Sequence, residues 1–271
     1  METPDDLRTL QLCMLNILLE IDKVCKAHGL RYFLAYGTMM GAAHYKGFLP
    51  WDDDTDIHMP RPDYEQLMAH GQEWLPEWLE VRCPEHDPTF PLPFMKVMDR
   101  RTTLVGKPNR YYVGGVFVDV TPLDGLPKRP WLQKRHIRQV RRRIHLRYVV
   151  AGNTLKKDNW WPKFWRKSYS PERVQALIRE QLMKYDYEQS DWVTEQCDVH
   201  IRKPMPKSWF EPARPVEFEG HELCGLALPE PYLQACFGEF QPNPSAEAQA
   251  RRHYQYLDLQ HPYKDYQAKQ S

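Results

Sequence analysis

Apolar residues recur along the first thirty positions at helical spacing, with Leu7, Leu10, Met14, Ile17, Leu18, Ile21, Val24 and Cys25 on one face. Thr3-Pro4-Asp5-Asp6 offers a hydroxyl cap, a proline for the first turn and acids for the positive end of that helix, and Gly29 offers a stop. The period then changes. Residues 31–36, RYFLAY, predict a strand entering Gly37-Thr38, and the small-residue stretch MMGAA predicts a short helix lying close on a sheet. A second strand is expected through the acids of GFLPWDDDTDI, and DYEQLMAH after Pro62 predicts another helix. Phe94–Met98, Thr102–Val105 and Gly115–Val120 read as further strands, the last (GVFVDV) the strongest.

The middle of the chain has a different character. Between Gly125 and Ser170 there are fourteen Lys and Arg against one acid, Asp158. Within this segment Ile137, Val140, Ile144 and Tyr148 form a helical stripe, so part of it packs against something. Ser170-Pro171-Glu172 caps a further helix with Val174, Leu177, Ile178 and Leu182 on one side. From Lys203 onward prolines are frequent and the predicted elements are short.

A chain of 271 residues buries a substantial core, as one large domain or two small ones. Its net charge of +1 says little about partners. No apolar run reaches the length of a membrane span, and the acidic opening METPDDLRTL is unlike a signal peptide. Six cysteines without a CxxC are expected to be reduced thiols of a cytoplasmic protein. Cys83-x-x-His86 and Cys197-x-x-His200 offer four zinc-type ligands, but nothing in the sequence brings the two pairs together.

The aspartate run is the sharpest chemical signal. Carboxylates at i and i+2 on an extended chain lie ~6–7 Å apart, and each such pair costs about 2.5 kcal/mol at an effective dielectric near 20. Phe48, Leu49, Trp51 and Ile57 favour burial around them, so the acids need a cation. Asp52, Asp54, Asp56 and Asp63 match calcium-loop positions, but Ile57 stands where that loop requires glycine, and Pro60 and Pro62 break it. On an alternating strand, Asp52, Asp54 and Asp56 share one face while Asp53 and Thr55 point the other way. Gly37-Thr38 upstream is a turn able to cradle phosphate on backbone N–H groups, and Asp119 in GVFVDV is a carboxylate on a separate strand.

YFLAYGTMMGAAHYKGFLPWDDDTDIHMPRPDYEQL resembles the signature of the LicD family, phosphocholine transferases related to fukutin and fukutin-related protein, and VGGVFVDVTPLDGLP resembles that family's second block. FEGHELCGLALPEPYLQACFGEF and ARRH are similar to degraded forms of its closing segments. The resemblance implies an α+β fold: a nucleotidyltransferase-like mixed sheet with flanking helices and a basic helical insertion. The expected division is a catalytic core at 1–124, a basic aromatic region at 125–200 and a closing segment of the same unit at 201–271.

The implied activity is magnesium-dependent transfer of phosphocholine from CDP-choline to a sugar hydroxyl of a bacterial surface glycan, of the lipopolysaccharide or teichoic acid type. The alternatives are another CDP-activated alcohol phosphate (ribitol or glycerol), or a non-catalytic relic of the fold. Carried over, Asp54 and Asp56 are the metal pair (Mg²⁺, with Mn²⁺ as an alternative), Asp52 is a third or outer ligand, and Asp119 is a metal ligand or general base. Asp53 is expendable on this reading. Gly37, Thr38, Lys46 and Trp51 are the donor-binding candidates, with Trp51, Tyr111 and Tyr112 nominated for a choline cage. His44-Tyr45-Lys46 departs from the family's Arg-His-Lys, so an arginine expected at phosphate is missing. Trp160, Trp161, Phe164 and Trp165, interleaved with Lys163, Arg166 and Lys167, suit an anionic membrane surface on the inner face of the plasma membrane. No nucleic acid partner is expected.

Overall fold

The computed structural model describes residues 4–88, 90–107, 112–150, 169–196, 203–241 and 244–266. Thr3, Tyr111, the side chain of Tyr148, the aromatic residues at 160–165 with their Lys and Arg neighbours, Cys197 and His200 lie outside the described residues.

The chain folds as a mixed α+β unit. Helix α1 (Pro4–His28) lays its predicted apolar face on the core, with Leu10, Ile17, Leu18 and Ile21 fully buried. The central sheet runs β1 (Phe33–Leu34), β2 (Asp56–Pro60), β7 (Phe117–Leu126), β4 (Met95–Asp99) and β3 (Leu79–Arg82), with β8 (Trp192–Glu195) and β9 (Met205–Pro206) continuing from β7. Only β2 and β7 pair in parallel; the other neighbours are antiparallel. β5 (Thr103–Gly106), β6 (Val113–Gly114) and β12 (Tyr254–Asp258) form a separate three-stranded sheet, and β10 (Arg214–Phe218) with β11 (His221–Gly225) a hairpin.

MMGAA lies within helix α2 (Tyr36–Tyr45), and its glycine explains the close approach. A Cβ on Gly41 would collide with the Gly47 carbonyl and stand 3.0 Å from the Leu49 amide. Helix α3 (Arg61–Trp74) follows β2 directly and starts with Pro62 in its first turn.

Two strand readings need correction. Asp52, Asp53 and Asp54 are not on a ladder: β2 begins at Asp56, and residues 52–55 lead into it. β1 is only two residues long and pairs with Ile57 and His58, so it offers nothing to residues 52–55. Gln11 of α1 holds that approach instead, donating its amide to the Leu49 and Asp52 carbonyls at 3.2 and 3.0 Å. The alternation of faces survives without the ladder, since Asp53 and Thr55 are buried and Asp52, Asp54 and Asp56 half-buried.

Strand β7 also runs six residues beyond the predicted Val120, straight through Pro122. β4 pairs as far as Val120 and β8 starts at Leu123, so Pro122 falls between the two partners on that edge, where no N–H is required.

Among the described residues the basic region is a helical pair, α4 (Pro130–Val150) and α5 (Pro171–Leu182), with its own small core of Val140, Ile144, Val174, Ile178 and Leu182. Ser170 caps α5 as expected, accepting from the Arg173 amide at 3.3 Å. Arg147 ties α4 to the catalytic unit, donating to the Phe90 and Leu92 carbonyls. The same region then returns β8 to the central sheet. Helix α6 (Pro229–Phe237) closes the far side, and the short α7 (Ala246–Gln249) leads into β12.

Substituting Gly41 by alanine should destabilise the fold by about 1–3 kcal/mol, because the backbone at Gly47–Leu49 must move to admit the methyl group. A fall in the urea midpoint at unchanged slope is the expected result.

Candidate active site

Register builds the centre of the site. On β2, β7 and β4, Asp56 lies beside Asp119 and Asp119 beside Lys96, so three charged side chains share one row across the sheet. Lys96 Nζ is buried and pairs with Asp119 Oδ1. It also lies 3.1 Å from the centroid of Phe117 and 5.3 Å from that of Tyr112, inside an aromatic enclosure. Burial pulls the lysine below its usual range, opposed by Asp119, Asp56 and Asp54.

The acids approach from the other direction along residues 52–56. Burial raises Asp56 well above the usual carboxylate range, with Asp54 and Asp119 adding to the shift. Asp52 is raised likewise by burial and then by Asp54. One of its oxygens, Oδ2, is buried with no hydrogen-bond partner. Gly37 makes room for that carboxylate: a Cβ there would lie 2.6 Å from Asp52 Oδ2. Thr38 accepts from the Asp56 amide at 2.9 Å and so fixes the start of β2. Gly37 and Thr38 thus sit at the acids, in the first turn of α2.

These groups face a cavity of about 550 Å³ lined by Tyr36, Gly37, Asp52, Asp54, Asp56, Phe94, Asp119, Thr121, Glu195, Phe237 and His253, among others. A second cavity of about 330 Å³ shares Asp54, Phe94, Asp119 and His253 and adds Lys96, Lys107, Tyr112, Phe117, Arg251 and Arg252. A larger hollow of about 820 Å³ beside Arg31 and Lys207 contains none of the acid run.

Two donor-binding candidates are not brought to the site. Lys46 ends α2 in a left-handed conformation, with its exposed ammonium 2.8 Å from Glu217. Trp51 packs on the core edge-on to Tyr45, outside both cavities. The αL turn at Lys46 carries the chain away from the acids, which the motif alone does not reveal.

Sequence reasoning missed Lys96, Glu195 and His253. Lys96 had a signal, a lone lysine in the apolar strand FMKVMD. Glu195 arrives on β8 and accepts from the Tyr36 hydroxyl at 3.0 Å. His253 arrives just before β12 and explains Asp53. The Asp53 carboxylate accepts from the His253 amide at 2.6 Å and meets its Nδ1 at 2.7 Å, while the same Nδ1 lies 3.3 Å from Asp54. Asp53 therefore points away from the cavity, as alternation requires, yet it anchors an imidazole that lines the cavity. Beneath the site, buried His58 bridges Thr121 Oγ1 at 2.7 Å and the Tyr232 hydroxyl at 2.9 Å, fixing α6 to the sheet.

Among the described residues no three carboxylates, imidazoles or thiols already converge as a closed metal shell. Magnesium does not require one: it is commonly held by one or two carboxylates, with water and substrate phosphate completing the octahedron. Hard oxygen donors in excess, one of them orphaned, fit that ion. Cys83 is different, since burial pushes its thiol up to about 12 and no third ligand joins it and His86 among the described residues.

Residues 29–99 match the family model described as LicD/FKTN/FKRP, nucleotidyltransferase domain. Over 262 residues the chain is 28% identical to the lipopolysaccharide cholinephosphotransferase LicD of Haemophilus influenzae, covering 92% of this chain and 96% of that protein. Residues 29–99 therefore carry a LicD-type nucleotidyltransferase domain. The family match takes in α2, the acid run and Lys96, and Asp119 completes the row from β7 beyond it.

Removing the anchor tests the account of Asp53. In Asp53→Ala, amide exchange across residues 253–258 should accelerate at least tenfold while exchange in β2 and β7 stays slow. Unchanged protection of β12 would show that its ladder with β5 suffices to hold His253.

Proposed function

We propose that this chain, a phosphotransfer enzyme of the LicD family, moves phosphocholine from CDP-choline to a sugar hydroxyl of a lipopolysaccharide-type surface glycan. The observation that carries the reading is the row Asp56–Asp119–Lys96, whose two acids line one cavity together with Asp52 and Asp54. The relative's printed activity supplies the choline phosphate and the glycan class.

Asp54 and Asp56 would hold a magnesium ion, with Asp52 behind them, and such an ion would neutralise negative charge on a transferring phosphoryl group. The acceptor oxygen bonds to the choline-bearing phosphorus, the bond from that phosphorus to CMP breaks, and the hydroxyl proton must leave. Asp119 is the proton acceptor proposed here, held in place by Lys96. Lys96 offsets part of the charge that would otherwise drive the carboxylates apart. The His253 imidazole and the rings of Phe94 and Phe237 restrict water at the cavity wall.

With CDP-choline and a glycan acceptor, CMP release should stop on chelation and return with Mg²⁺. Asp54→Asn or Asp56→Asn should lower turnover at least ~10²-fold in a folded protein. Asp53→Asn should lower it less than tenfold, because that side chain faces away. Near-normal turnover in the Asp54 or Asp56 variant would remove these groups from the mechanism. A preference for CDP-ribitol or CDP-glycerol across a donor panel would replace choline.

No helix among the described residues is long and apolar enough to cross a membrane. A peripheral position at the cytoplasmic face is proposed instead, on the outer side of α4. Trp131, Lys134, Arg135, Arg138, Arg141 and Arg142 are exposed on one arc of roughly 120°. No ion pair among the described residues engages these five cations. Each contributes about 1 kcal/mol near an anionic bilayer. Vesicles containing phosphatidylglycerol should co-sediment the protein at low salt and release it at high salt. The triple variant Arg135→Glu, Arg138→Glu, Arg142→Glu should lose this binding while keeping CMP release. Equal partitioning of wild type onto neutral vesicles would assign the face to solvent.

A further inference from the structure

The two cavities meet at Asp54, Phe94, Asp119 and His253 but carry opposite charge beyond that shared wall. The smaller adds Lys96, Lys107, Arg251 and Arg252 and no further acid. The larger adds Asp52, Asp56 and Glu195 and no further lysine or arginine. A ligand with a cationic end and an anionic body enters such a cleft in one direction only.

We infer that Glu195, Tyr36 and Phe237 form the subsite for a quaternary ammonium group, while the basic cavity takes the anionic remainder of the donor. The inference rests on the phosphocholine reading and names residues that neither comparison assigns. A trimethylammonium group donates no hydrogen bond, so it is held by aromatic faces and an anion. Tyr36 and Phe237 line the acidic cavity, and Phe237 is half-exposed at the end of α6.

Glu195 is the acid suited to a permanent cation. It comes from β8 and not from the acid run whose cavity it shares, and its carboxylate is buried and bonded by the Tyr36 hydroxyl. Tyr36 is itself fixed at both ends. Its amide donates to the Tyr232 hydroxyl at 3.1 Å, and its ring packs edge-on to His58 at 4.8 Å. Of the aromatic candidates nominated from the sequence, Tyr111 lies outside the described residues, Trp51 is outside both cavities, and Tyr112 lines the basic cavity beside Lys96, where a cation is repelled.

Steady-state kinetics on the full chain with CDP-choline, CDP-ethanolamine and CDP-glycerol test the assignment. Wild type should prefer CDP-choline. Glu195→Gln should raise KM for CDP-choline at least tenfold, with little change in kcat and little change in KM for CDP-glycerol. Phe237→Ala, at a half-exposed position outside the core, should narrow the preference for choline over ethanolamine at least fivefold. Tyr36→Phe keeps the ring and should preserve most of the selectivity.

An equal loss with all three donors in Glu195→Gln would make that residue a structural support and overturn the assignment. Undiminished choline selectivity in both Glu195→Gln and Phe237→Ala would do the same while leaving phosphocholine transfer intact. Release of CMP from none of the donors by wild type would instead sink the parent reading, and the subsite with it.

Discussion

Charge balance across three neighbouring strands is the constraint on which the rest of this molecule turns. Parallel pairing of β2 with β7 puts Asp56 directly beside Asp119, and two carboxylates so placed repel. Antiparallel pairing of β7 with β4 then supplies Lys96 at the matching position. The lysine is itself buried, and its desolvation cost is met only by the acids it neutralises. Neither partner is tolerable alone. One lysine stands against Asp52, Asp54, Asp56 and Asp119, and that surplus of carboxylates is what the proposed cation would offset.

The surrounding elements serve that row. α1 holds the acid approach through Gln11, α2 admits Asp52 through Gly37, and the His58 bridge locks α6 against the sheet. The α4–α5 pair packs its own apolar stripe and touches the catalytic unit through polar bonds from Arg147 and Arg179, to backbone carbonyls and to Glu65. It can therefore present a charged face to the outside without disturbing the acids.

Legibility from the sequence followed contact distance. The helix of residues 4–28, the glycine-bearing helix after Tyr36 and the face alternation of Asp52–Asp56 are set by local periodicity and turn chemistry, and all three were readable. The length of β7 was not, because the permission for Pro122 depends on where two other strands stop. Lys46 and Trp51 misled because a motif lists neighbours in sequence, whereas the left-handed turn at Lys46 sends the chain away. Glu195 and His253 carried no local signal at all; Glu195 reaches the site on β8 and His253 just ahead of β12, each more than a hundred residues beyond the acid run.

The bond between Asp53 and His253 joins positions separated by 200 residues. The segment through His253 must therefore have left the ribosome before the cleft has this wall. Until then the acids stand in a half-built trough, open to water on the side where Arg251, Arg252 and His253 belong. A copy cut short before Arg251 would keep every aspartate of the run and lack the basic wall that Arg251, Arg252 and His253 give the cleft.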